Sequence, residues 1–285
     1  MHPKRLESRL LKAVVRANRD FGLFEEGDKI LVALSGGKDS YALLWALMQL
    51  QASAPFKFEL FAYHLDQGQP GHNPAPLEEH IKTLGVPYEI EFQNTYTTVI
   101  EKTEPGKIYC SLCSRFRRAI LYKAAARNGC NKVALGHHRD DIIETALLNL
   151  FFSGQLKAMP PKLVSDAGNE MVIRPLCYAP EEELAEFSEQ QAFPILPCNL
   201  CGSLDSQRKW VKNLLTDLTA RTPHLKGNIL HALANVTPSH LLDRTLNPVY
   251  TQGAYLADDL DEEDAAPVPT KSKRLPILQN QVSPT

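Results

Sequence analysis

Residues 31–40 read LVALSGGKDS: an apolar run, two adjacent glycines, then a lysine, an aspartate and a serine within one turn. The run before the glycines suits a buried strand, and SYALLWALMQL (40–50) after them suits a helix. A strand, a glycine turn and a helix in that order let backbone N–H groups close around an anion. The helix dipole and the charge of Lys38 strengthen such a site. Ser35, Gly36, Gly37, Lys38, Asp39 and Ser40 are therefore the candidate phosphate-binding turn. Its spacing is not the GxxxxGK[ST] of the P-loop kinases and GTPases.

Working outward, the same alternation recurs. FKFELFAYHLD (56–66) is a second strand, and TLGVPYEIEF (83–92) gives a helix end, a glycine stop and a third strand. SRFRRAILYKAAARNGC (114–130) is a helix with Ser114 as its expected N-cap and a glycine stop. NKVALGHHRDDIIETALLNLFF (131–152) is a further strand, loop and helix, and MVIRPL (171–176) a last strand. Strands alternating with helices predict an α/β fold: a Rossmann-like parallel sheet with helices on both faces and its ligand site at the carboxyl ends of the strands. Residues 1–25 form an expected N-terminal amphipathic helix, with Arg5, Arg9, Lys12, Arg16 and Arg19 on one face. The nucleotide-binding domain is expected over 26–185 and a helical C-terminal region over 186–250. EEELAEFSEQQ (181–191), LDSQRKWVKNLLTDL (204–218) and GNILHALANV (227–236) are its candidate helices. Residues 251–285, with an acidic block and scattered prolines, read as a disordered tail.

The composition fits a globular protein of one large or two modest domains, with 285 residues and 44% hydrophobic. No apolar run approaches the roughly 20 residues of a membrane span. The charged N-terminus lacks the apolar core of a signal peptide, so a cytoplasmic location is expected. In a reducing compartment clustered cysteines point to metal or catalysis rather than disulfides. The net charge of −2 hides six acids and three bases in residues 251–285, so the remaining 250 residues carry about +1. Bulk charge therefore neither predicts nor excludes a nucleic-acid partner.

A second chemical signal is LGHHRDD (135–141) at the end of a later strand. Asp140 and Asp141 suit a helix cap. Together with Gly136 and His137 at a strand's carboxyl end, they also suit a nucleotide–Mg²⁺ site. Asp66, at the end of the second strand, is a candidate acid/base or metal ligand, or a turn former. CSLC (110–113) is answered by PCNLCGS (197–203), and two CxxC pairs supply four soft ligands. A closed zinc site would use all four thiolates. An iron–sulfur cubane can be held by three. Cys130 and Cys177 stand outside the pairs and read as small buried hydrophobes. Arg115, Arg117 and Arg118 follow the first pair, either as a solvated face or as a phosphate-binding one.

SGGKDS resembles the PP-loop of the ATP pyrophosphatase superfamily, whose members bind ATP there and release pyrophosphate while adenylating an oxygen. With CSLCSRFRRAILY, LGHHRDD, MPPKL (159–163), PCNLCGS and NVTPSHLLD (235–243), the chain resembles the tRNA 2-thiocytidine synthetase (TtcA) family. The resemblance implies ATP-dependent replacement of the C2 oxygen of cytidine 32 in tRNA by sulfur, with Mg²⁺ and a [4Fe–4S] cluster. It implies Cys110, Cys113 and Cys201 as cluster ligands, with Cys198 as the alternative third. It implies Lys38, Asp39, Asp66 and Asp140 as catalytic residues. The nucleotide contacts would be the 35–40 turn, Gly136, His137 and Asp140. Arg5, Arg9, Lys12 and Arg16, with the three arginines after CSLC, would meet tRNA. The implied partners are a sulfur donor such as a cysteine desulfurase and a second copy in a homodimer, with no membrane. A related thiouridine branch carries zinc-finger CxxC pairs near its N-terminus, which this sequence lacks. The rival readings are a 2-thiouridine or lysidine-type PP-loop enzyme, or a metal-stabilised RNA-binding protein without thiolation activity.

Overall fold

The computed structural model describes residues 3–103, 110–165, 170–196 and 207–247. In chain order the elements begin with α1 (Pro3–Phe21), β1 (Lys29–Leu34), α2 (Lys38–Ser53), β2 (Glu59–Asp66), α3 (Ala75–Leu84), β3 (Tyr88–Phe92), α4 (Thr95–Glu101) and α5 (Cys110–Arg127). There follow β4 (Lys132–Ala134), α6 (Arg139–Ser153), β5 (Lys162–Val164), β6 (Met171–Ile173), α7 (Glu181–Gln191), α8 (Gln207–Arg221) and α9 (Leu225–Ala234). The strands form one sheet in the order β3-β2-β1-β4-β6-β5.

The apolar run 30–34 becomes the sheet's central strand because both of its faces are covered. Ile30, Val32 and Leu34 face a core built with α1, α2 and α7. Leu31 faces a second core with Ile120, Leu121, Ala124 and Ala125 of α5. Helices on both faces are what a parallel sheet requires. β5 departs from the expected parallel pattern, because it pairs antiparallel with β6 at the sheet's edge. A three-residue edge strand needs only a local turn to reverse, and KLV has no long apolar run to betray it. Helix α4 also lacks a sequence signal, having one buried residue, Val99.

The helix expected from Ser114 begins at Cys110, so Ser114 lies inside α5 rather than capping it. Both cysteines of the first pair therefore fall within one helical turn. In α1, Leu6, Leu10, Val14 and Ala17 are at most 4% exposed, which anchors the helix to the core and turns its basic stripe outward. Each such leucine or valine contributes about 1.5–3 kcal/mol.

Register decides where the loops emerge. Leu34 pairs with His64, and Val32 with Ala134, so the segments after β1, β2 and β4 leave the sheet at one edge. At the opposite edge Asp28, just before β1, is buried with Lys132 of β4, Nζ to Oδ2 2.5 Å. Asn131 Nδ2 and the Glu25 amide also donate to the same carboxylate, at 2.8 and 2.6 Å. Removing one partner strands a buried charge, at a cost of about 3–5 kcal/mol. Lys132→Ala is accordingly expected to lose about that much stability in urea unfolding; a loss under about 1 kcal/mol would contradict this account.

Candidate active site

The turn 35–37 joins β1 to α2 with the geometry its glycines were expected to supply. Gly36 has φ +80°, and a Cβ there would lie 2.8 Å from the Leu196 side chain. Leu196 closes over the turn by donating its amide to the Gly36 carbonyl at 2.9 Å. The two serines brace the turn from inside. Ser40 Oγ donates to the Gly37 carbonyl at 2.8 Å and accepts from the Ser35 amide at 3.2 Å. Lys38 Nζ rests between Asp39 Oδ1 at 3.0 Å and Glu181 Oε1 of α7 at 3.7 Å.

Gly136, after β4, touches this turn. A Cβ on it would stand 3.1 Å from the Ser40 amide nitrogen and 3.1 Å from the Asp39 carbonyl carbon. The backbone of LGHHRDD thus packs directly on the first turn of α2, bringing the two sequence signals together. His138 is the N-cap of α6 and Asp141 completes the capping box: the His138 ring accepts from the Asp141 amide, while the Asp141 carboxylate accepts from the His138 amide. His138 Nε2 lies 4.0 Å from Asp39 Oδ1, so both signals reach the same carboxylate.

Asp140 meets the C-terminal helices. Its Oδ1 pairs with Lys226 of α9 at 2.5 Å, and its Oδ2 accepts from the Glu181 amide at 3.0 Å. Burial raises its pKa, but Lys226, the Glu181 amide and Arg139 outweigh it and leave the carboxyl below its ordinary value. Arg208 of α8 reaches Asp141 at 3.3 Å and Glu144 at 3.2 Å, and Lys212 reaches Glu181 at 2.7 Å. The C-terminal helices are therefore docked on acids of α6 and of the start of α7, of which Glu181 also meets Lys38.

Asp66 Oδ1 accepts from the Gly68 amide at 2.9 Å and shapes the loop after β2. Gln67, next in that loop, reaches across to α5: its amide lies 3.4 Å from Cys113 Sγ and 3.0 Å from Thr95 Oγ1. Cys113 is a free, half-buried thiol, placed by this contact at the carboxyl edge of the sheet. Cys110 precedes it in the same turn of α5. Cys198 and Cys201 lie outside the described residues. Among the described residues no group of three or more His, Cys, Asp or Glu is arranged to hold a metal. Cys130 and Cys177 are buried, and burial raises both thiols, Cys177 to about 12.

Arg115, Arg117 and Arg118 are exposed on α5. Arg5 and Lys12 are exposed on α1, whereas other members of that stripe have protein partners. Arg9 pairs with Glu183 of α7, Arg16 lies 4.4 Å over the Tyr178 ring, and Arg19 meets Asp20 at 3.0 Å. Sequence reasoning passed over Gln67, His64 and Arg174. His64 is buried, its Nδ1 2.8 Å from the Leu34 carbonyl and its ring stacked on His72. Its position at the end of β2, directly before LDQ, was the available signal.

The sheet order, the glycine turn and its braced serines define a PP-loop protein, and the PP-loop domain family matches residues 4–216. Curated relatives narrow the class. A tRNA-cytidine(32) 2-sulfurtransferase of Anaeromyxobacter sp. (strain K) is 53% identical over 261 residues, 91% of this chain and 90% of that protein. The protein of that name from Paracidovorax citrulli (strain AAC00-1) is 49% identical over 282 residues, 96% and 90% of the two chains. The U34-tRNA thiolase NcsA from Methanococcus maripaludis, solved with its [4Fe–4S] cluster, shares the fold at TM-score 0.62 and 23% identity, over 81% of each chain. The chain belongs to the PP-loop family and, within it, to the tRNA-cytidine(32) 2-sulfurtransferases.

The Gly136 contact can be tested without any reaction. Gly136→Val must push the Asp39–Ser40 backbone aside, at about 1–3 kcal/mol of misfit. ATP affinity measured by calorimetry is expected to fall about tenfold or more. Unchanged affinity in a folded variant would show that the approach does not shape the turn.

Proposed function

We propose that the protein is an ATP-dependent tRNA sulfurtransferase that converts cytidine 32 to 2-thiocytidine. One observation carries the reading beyond family membership. The phosphate turn after β1 and the thiol of Cys113, fixed by Gln67 from the loop after β2, stand at the same edge of one sheet. A nucleotide-activated oxygen and sulfur chemistry can therefore meet on one substrate base.

ATP would lie on residues 35–40, with Gly136, His137 and Asp140 completing its surroundings and Asp39 as the acid that would hold Mg²⁺. The cytidine O2 attacks the α-phosphorus and pyrophosphate leaves, so an oxygen that is a poor leaving group becomes part of AMP. Lys38 and the turn's amides face the charge that develops on the phosphates. Sulfur at the sulfide level then forms its bond to C2 with its own electron pair as the C2–O bond breaks and AMP departs with that oxygen. Asp66, at the end of β2, would handle protons.

The fit of a [4Fe–4S] cluster rests on Cys110 and Cys113 in one helical turn, the second a free thiol braced by an amide. Cys201, with Cys198 as the alternative, would complete the set. Bound there, the cluster supplies a centre that carries sulfur to the site. tRNA phosphates would meet Arg115, Arg117 and Arg118, with Arg5, Arg9, Lys12 and Arg16 as a second surface; such contacts position RNA without reading sequence. The sulfur reaches the protein from a donor such as a cysteine desulfurase, and the protein works as a homodimer in the cytoplasm. Among the described residues no helix is long and apolar enough to cross a membrane.

Nucleoside mass spectrometry on tRNA treated with each variant separates the roles. Cys113→Ala is expected to lose the cluster's broad visible absorbance and all 2-thiocytidine while still binding ATP. Arg117→Ala is expected to keep the cluster but bind tRNA more weakly, with a salt dependence shallower by about one phosphate contact. If both variants bind and thiolate normally, this reading fails.

A further inference from the structure

Arg174 has no part in the steps above, yet it is only 8% exposed and follows β6 at the active edge. A buried guanidinium normally sits on a carboxylate, because uncompensated burial of charge is costly. Here, among the described residues, it has no acidic partner. Its Nη1 donates to the Pro160 carbonyl at 2.6 Å and its Nε donates to His137 Nδ1 at 3.3 Å. The backbone is tied down as well, the Arg174 amide donating to the Pro161 carbonyl at 2.8 Å.

The Nε contact has one chemical meaning. Arginine has five N–H donors, no acceptor, and no neutral form in proteins. His137 Nδ1 must therefore accept, which places the ring's proton on Nε2. Burial and then the Arg174 charge depress the His137 pKa to about 4, with Arg117 of α5 and Arg208 of α8 adding to them and Asp141 of α6 opposing. The ring directly follows Gly136, whose backbone packs on Asp39 and Ser40.

We propose that Arg174 is a positioning residue that holds His137 as the neutral Nε2–H tautomer, a hydrogen-bond donor rather than a base, beside the phosphate turn. The inference deepens the sulfurtransferase reading and rests on it for the reaction served. The donor's partner is an anionic oxygen, either on the nucleotide phosphates or on the activated base. A base at this position would draw protons from the substrate. A fixed donor instead stabilises oxygen charge without changing its own state, which suits a step where an oxygen leaves as AMP.

Two sets of variants in the full-length holoenzyme test this. His137→Gln keeps an amide donor near the Nε2 position and is expected to thiolate within about tenfold of wild type, whereas His137→Ala falls by about a hundredfold, as loss of one fixed donor does. Equal inactivity of the two would overturn the proposal. Arg174→Met frees the ring to choose its tautomer, so its rate relative to wild type is expected to rise as pH falls toward the His137 titration, where protonation restores the Nε2–H; burial, Arg117 and Arg208 still hold that titration below the ordinary histidine value. Arg174→Lys should recover part of the neutral-pH rate. A relative rate that rises with pH would instead make His137 a base. ATP affinity without tRNA locates the oxygen: weakened in His137→Ala if it lies on the nucleotide, unchanged if it lies on the base. Histidine ¹⁵N shifts in the full chain report the tautomer whatever the reaction, and a protonated Nδ1 would sink the inference. Wild type that makes no 2-thiocytidine but shows the Nε2–H ring would count against the sulfurtransferase reading alone.

Discussion

The contact of Gly136 with the Asp39–Ser40 backbone is the constraint on which the site depends. It exists because β1 pairs with β4 on one side and β2 on the other, in registers that bring all three carboxyl ends to one edge. A side chain at 136 would hold the two loops apart by its own volume. With hydrogen there, the loop after β4 lies on the phosphate turn, and His137, His138 and Asp141 are delivered within reach of it. The same register brings the loop after β2 to the mouth of α5, where Gln67 meets Cys113.

A second layer of organisation is ionic. Helices α8 and α9 contribute few buried side chains, Val211 and Leu215 of α8 among them, so apolar burial alone would hold them weakly. Arg208, Lys212 and Lys226 instead meet Asp141, Glu144, Glu181 and Asp140, acids of α6 and of the start of α7. Lys38 shares Glu181 with Lys212, which links the turn itself to the C-terminal helices. The exposed ends of these pairs are screened by salt, so each is worth little alone, and the network matters more than any member.

Much of the fold was legible because its strongest signals are local. SGGKDS flanked by a strand run and a helix run can hardly be anything but a phosphate turn, and its neighbours repeat the same alternation. The antiparallel edge strand Lys162–Val164 was not legible, since three residues carry no period. The α5 start was misjudged because Ser114 is a good cap by type, whereas the helix extends back through the cysteines. Within the site, motifs showed which residues matter but not which way they face. Asp140 and Asp141 are adjacent in sequence, yet the first meets Lys226 and the second caps a helix with His138. Gln67 and Arg174 were invisible because a glutamine after a strand and an arginine before a proline have no chemistry of their own until the fold brings Cys113 and His137 to them.

The central claim is that one edge of the sheet activates the C2 oxygen of a tRNA cytidine with ATP and replaces it with sulfur. The most direct measurement uses tRNA carrying ¹⁸O at C2 of cytidine 32, incubated anaerobically with holoenzyme, ATP and a sulfur source, followed by mass spectrometry of the nucleotide products. The account predicts that the label appears in the phosphate of AMP, one ¹⁸O for each 2-thiocytidine formed. Label released to water, or found in pyrophosphate, would contradict it.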